Sequence, residues 1–85
     1  MAKYKLRIKP SAVKELESVP KKDQSKIVSK IRSLVDDPRP PGSQKLSGDE
    51  KYRIRQGVYR ILYLIEDEEL ITIVVKIAHR KDVYR

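Results

Sequence analysis

The sequence predicts an α+β fold: two N-terminal antiparallel helices packed on one face of a small, mainly antiparallel four-stranded sheet, ordered β-α-α-β-β-β. Three observations carry this. Apolar residues alternate at period two near the start and again across residues 52–78, the rhythm of half-buried strands. Between those stretches apolar residues recur every three or four positions, the rhythm of helices. The chain has 85 residues, of which 39% are hydrophobic, which is enough for one core, so residues 1–85 read as a single domain.

Residues 3–9 set Tyr4, Leu6 and Ile8 against Lys3, Lys5, Arg7 and Lys9, a strand with a cationic outer side. Pro10 ends it, having no N–H for the ladder. Ser11 is placed to cap a helix over residues 12 to about 19, with Val13, Leu16 and Val19 as its apolar stripe. Pro20 restarts the chain. Residues 22 to about 36 then read as a longer helix, with Ile27, Val28, Ile31, Leu34 and Val35 on one face and Lys26, Lys30 and Arg32 off it. The short joint implies an antiparallel pair.

Residues 37–43, with Pro38, Pro40, Pro41 and Gly42, stop the helix and form a rigid loop, which residues 44–51 continue. Leu46 is expected to reach the core, and Gly48-Asp49 to mark a turn. Residues 52–56 form a strand. Gly57 makes a tight connection to a second strand ending near Glu66, and Glu66-Asp67-Glu68-Glu69 is a polar hairpin turn. Residues 70–78 are rich in β-branched side chains and suit a central strand.

Strict alternation assigns the faces. Tyr52, Ile54, Tyr59, Ile61, Tyr63 and Ile65 fall with Ile71, Ile73, Val75 and Ile77, the more apolar side, which the helices must cover. The other side carries Arg53, Arg55, Arg60, Lys76 and Arg80, with Leu62, Leu64 and Val74 among them, and the basic residues of the first strand. A cationic sheet face with interleaved aliphatic residues fits either a phosphate backbone or an acidic, amphipathic peptide.

Composition narrows the chemistry. The formal net charge of +8 favours a polyanionic partner. With no cysteine and one histidine, the chain cannot hold a disulfide framework, a thiolate metal site or a His-rich one. Neither a metal nor another cofactor is expected. The first residues lack an apolar signal region and no apolar run approaches a membrane span, so a cytoplasmic protein is expected.

The run Tyr52-Arg53-Ile54-Arg55, then Gly57-Val58-Tyr59-Arg60-Ile61-Leu62-Tyr63, then His79-Arg80-Lys81-Asp82-Val83-Tyr84 resembles the RelE/ParE superfamily of bacterial and archaeal toxins. The resemblance implies the toxin of a type II toxin–antitoxin system, paired with a cognate antitoxin. RelE-like members cut mRNA in the ribosomal A site, whereas ParE-like members poison DNA gyrase. The His-Arg…Val-Tyr ending favours the RelE-like branch. Carried over residue by residue, the resemblance implies catalytic roles for Arg53, Arg55, Arg60, Arg80 and Tyr84. RelE itself has lysines where this chain has Arg53 and Arg55, and an arginine does not lose its proton at useful pH.

In such a nuclease the 2′-OH attacks the adjacent phosphate. Arg55 and Arg60 would clamp the phosphorane, Arg53 and Arg80 would position substrate, and Tyr84 would stack on a base or act through its hydroxyl. His79 has the one side chain that ordinarily titrates near neutrality, but alternation puts it with Ile77, away from Arg80. It is a possible acid or base only if the chain bends after Ala78. Lys3, Lys5, Arg7, Lys45, Lys76 and Lys81 are expected to hold the nucleic acid. A non-catalytic basic binding module is the remaining alternative.

Overall fold

The computed structural model describes residues 3–46 and 51–79. Its elements are β1 (Lys5–Ile8), α1 (Pro10–Glu17), α2 (Lys21–Ser33), β2 (Gln44–Lys45), β3 (Lys51–Gln56), β4 (Tyr59–Glu66) and β5 (Ile71–His79). The strands form one sheet in the order β1-β5-β4-β3-β2. It has five strands rather than four, because Gln44 and Lys45, expected as loop, pair with Arg53 and Tyr52. Their side chains give no strand signal; the ladder of β3 recruits them. The β1–β5 pair is parallel and the other pairs are antiparallel.

Both helices start one or two residues earlier than expected. Pro10 is itself the first helical residue of α1, where its missing N–H costs nothing and its fixed φ suits the turn. Lys9, not Ser11, is the cap residue. The buried stripe of α1 is Ala12 with half-buried Glu15 and Leu16, and Val19 just beyond. Val13 faces solvent, 37% exposed, one position off the core face. The joint is tied by Gln24, whose Nε2 donates to the Val19 carbonyl at 2.6 Å. In α2, Ile27 and Ile31 are buried, with Leu34 just after them, as the spacing requires. Each contributes about 1.5–3 kcal/mol by leaving water.

The helices cover the face formed by Tyr52, Ile54, Ile61, Tyr63, Ile65 and Ile77. The expected alternation fails at one place. Leu62 pairs with Lys76 but Tyr63 pairs with Val74, so Val75 is an extra residue on β5. One inserted residue reverses the alternation before it. Thr72 and Val74 therefore turn into the core, fully buried, while Ile71 and Ile73 lie on the side away from the helices. Lys76 and Ala78, beyond the bulge, keep the expected side.

The bulge also marks where β1 stops covering β5. The Lys9 N–H still reaches the Val74 carbonyl at 2.9 Å. Past that point α1 takes over: Glu15 Oε1 accepts the Ile77 N–H at 2.9 Å, and Oε2 holds the Lys76 ammonium at 3.0 Å. A carboxylate thus occupies an edge donor that would otherwise invite another strand.

At the opposite end, the loop after α2 is locked by polar contacts. Tyr63 donates to the Pro38 carbonyl at 2.7 Å, and its ring stacks on Tyr52 at 5.9 Å. The Arg39 Nε donates to the Tyr52 hydroxyl at 2.9 Å, and both Arg39 terminal nitrogens donate to Asp67, at 3.1 and 2.8 Å. Tyr4 donates to the same carboxylate at 2.6 Å. Residues far apart in the chain meet here, which no local pattern announces. Leu46, half-buried, donates its N–H to the Lys51 carbonyl at 2.9 Å; the Gly48-Asp49 turn lies outside the described residues.

Candidate nucleic-acid interface

The β3–β4 hairpin builds the candidate site. Gln56 and Tyr59 flank a two-residue connection, and Gly57 takes φ +61°, as a type II′ turn requires at its first position. This turn fixes the register, which sets Arg55 directly opposite Arg60 and Arg53 opposite Leu62. All three arginines lie on the side away from the helices, as alternation predicts. Directly opposed side chains on a sheet have Cβ atoms about 4.5–5.5 Å apart, and like charges there repel.

Their environments differ. Arg55 is exposed, Arg53 is half-buried with its Nη2 donating to Gln44 Oε1, and Arg60 is 2% exposed. Alternation assigns a side, not a depth, so the burial of Arg60 was not legible in the sequence.

The rest of the open face is ordered in bands. Leu62, Leu64, Ile71 and Ile73, all half-buried, make an aliphatic strip across β4 and β5. Lys5 and Arg7 flank it on β1, paired with Ile71 and Ile73; Lys51, Arg53 and Arg55 flank it on β3. Acidic residues collect at the far end, in the Glu66–Glu69 turn. Arg60 and Glu66 are six residues apart on one strand, about 20 Å. That exceeds a Debye length of about 8 Å at physiological salt, so the turn does not neutralise the arginines.

The carboxylate of Asp67 is engaged elsewhere. Its hydrogen bonds from Arg39, then from Tyr4, hold its pKa down at about 2. Burial pushes the Tyr63 hydroxyl up to about 12. Both groups belong to the loop lock rather than to the arginine face.

Other expected site residues are dispersed. Lys45 pairs with Tyr52 and so projects to the helical side, opposite the arginines. Lys3 lies 3.9 Å from Asp36, and Lys76 turns round the sheet edge to Glu15. His79 lies opposite Tyr59 on the helical side, their rings edge-to-face at 5.5 Å, in a groove also lined by Glu15 and Ser18. No bend brings it to the arginines by that residue. Arg80, Lys81 and Tyr84 lie outside the described residues.

Residues 6–84 match the family model described as the ParE toxin of the type II toxin–antitoxin system parDE. A RelE-like toxin protein of Escherichia coli is 32% identical over 96% of this chain and 90% of its own length. Among solved structures, the archaeal RelE–RelB complex from Pyrococcus horikoshii contains a chain with TM-score 0.81 and 25% identity, over 95% of this chain and 99% of that one. The toxin–antitoxin complex RelBE2 of Mycobacterium tuberculosis gives TM-score 0.82 at 24% identity, over 93% and 100%, which is a likeness of fold.

Proposed function

The chain belongs to the RelE/ParE toxin superfamily, and from that premise we propose that it is a ribosome-dependent mRNA endonuclease, the toxin of a type II toxin–antitoxin pair. The observation that carries this reading is the Arg55–Arg60 pair, with Arg53 diagonal to it, on a sheet face clear of the helices. Opposed like charges oppose folding, so their placement fits a site built for an anion.

The chemistry follows from the residue types. The 2′-oxygen bonds to phosphorus, the bond from phosphorus to the 5′-oxygen breaks, and a cyclic phosphate and a 5′-hydroxyl result. One proton leaves the 2′-OH and one reaches the 5′-oxygen. Arginines move neither proton; they stabilise the dianionic phosphorane. Exposed Arg55 meets the phosphate, Arg53 is held in place by Gln44, and buried Arg60 adds its field from beneath. Arg80 and Tyr84 take the roles that the resemblance implies. With His79 on the other face, catalysis rests on charge and positioning, and the ribosome supplies geometry.

The partner protein is a cognate antitoxin. The aliphatic strip between cationic margins suits an acidic amphipathic segment laid across the open face. A structure of the complex with that face uncovered would contradict this assignment.

One finding favours a second reading: the matching family model is described as ParE, which points to gyrase inhibition. Expression of the chain without its antitoxin, with mapping of mRNA 5′ ends, separates the two. In-frame cleavage on translated messages, reduced about 10²–10³-fold by Arg55→Ala with the fold intact, is the expected result. Intact mRNA with inhibited supercoiling supports gyrase instead. Intact mRNA without toxicity leaves a basic binding module.

A further inference from the structure

The solvent face of α2 carries an uncompensated positive charge on the other side of the molecule. The helix holds Lys21, Lys22, Lys26, Lys30 and Arg32 against a single acid, Asp23. None of the five cations makes an ion pair among the described residues. Lys22, Lys26 and Lys30 recur every four residues, one above another about 6 Å apart along the axis. Like charges at that spacing destabilise a helix. The core does not call for them, since the buried face of α2 is built from Ile27 and Ile31.

Their arrangement is specific. At 100° per residue, Ser25, Ser29 and Ser33 run down the centre of the outer face. Lys26 and Lys30 form one margin and Lys21 and Arg32 the other, while Lys22 falls on the serine line, between Ser29 and Ser33 in angle. Two shallow concavities share Ser25 and Ser29 as floor. One is walled by Lys26, Lys30 and Gln56 at the hairpin end of β3, the other by Lys21, Val28 and Arg32. The small floor lets a chain of phosphates approach the helix while ammonium and guanidinium groups reach it from both sides. An acidic peptide would need an apolar partner surface as well, and among the described residues half-buried Val28 is the single aliphatic side chain in the two concavities.

We propose that α2 is a second RNA-binding surface, which grips the phosphate backbone of a structured RNA without reading its sequence. It stands on the side opposite Arg55, so one RNA element can be held behind the protein while another lies across the sheet. The inference comes from the charges of α2 alone and holds whether or not the arginine face cuts RNA.

The test uses the full chain, a 20-base-pair RNA duplex as probe, and fluorescence anisotropy over a salt series. The variant Lys22→Gln/Lys26→Gln/Lys30→Gln is compared with Lys22→Arg/Lys26→Arg/Lys30→Arg, each checked by circular dichroism. Three lost phosphate contacts lower the slope of log K against log salt by about 2–3 and weaken binding at least tenfold at low salt. The Arg variant retains binding, which separates charge from helix folding. In an Arg55→Ala background the Gln and Arg triple variants should differ from each other by the same slope as in the parent chain, so failure of cleavage and failure of this surface are read independently. An unchanged slope in the Gln variant overturns the proposal. So does tighter binding of a poly-glutamate peptide than of the duplex at equal charge.

Discussion

Tyr63→Phe removes one oxygen atom and tests whether the loop lock is as buried as the structure shows. The Tyr63 side chain is fully buried and its hydroxyl serves the carbonyl of Pro38, itself buried. Phenylalanine keeps the ring and its stacking on Tyr52 but leaves that carbonyl unpaired, a loss of about 1–3 kcal/mol at neutral pH. The second part of the effect is pH-dependent. Burial raises the Tyr63 pKa to about 12, against about 10 in the unfolded chain. The unfolded state therefore releases its proton first, and the native protein loses stability as pH rises from 10 through 12. At pH 11 that loss is about 1.4 kcal/mol. The Phe variant has no such proton. The stability gap between the two proteins should narrow by about 1.4 kcal/mol between pH 8 and pH 11. Urea unfolding followed by far-ultraviolet circular dichroism at both pH values measures it, and other titrating groups cancel in the comparison. A gap that stays constant would refute the burial argument.

Asp67→Asn probes the same lock from the acid side. Asp67 is held at about 2 by Arg39 and Tyr4, so it contributes stability above its ordinary carboxylate range, which is lost as pH falls from about 4 to 2. The Asn variant should be less stable at pH 7 and lack that acid-induced loss; matching acid melts of the two proteins would argue against it. Among the described residues, the buried Thr72 hydroxyl has no hydrogen-bond partner. Thr72→Val should raise stability by about 1 kcal/mol in thermal or urea melts, and destabilisation would show that the hydroxyl is satisfied. Arg60 needs separate handling. At 2% exposure, its removal would disturb packing as well as charge, which is why Arg55→Ala is the cleaner functional probe.

Side-chain alternation along single strands was legible in the residues themselves. It assigned Tyr52, Ile54, Ile61, Tyr63 and Ile65 to the core, and Arg53, Arg55 and Arg60 to one open side. Helical spacing assigned Ile27, Ile31 and Leu34 in the same way. These are local periodicities, and burial of one face enforces them. Four things were decided only in three dimensions. The extra residue at Val75 exchanged Thr72 and Val74 for Ile71 and Ile73, because a bulge depends on the partner strand and not on β5 alone. The two-residue β2 exists because β3 offers it a ladder. The depth of Arg60, and the meeting of Tyr4, Arg39, Tyr52 and Asp67, depend on contacts between distant segments, and a one-dimensional pattern carries no distances.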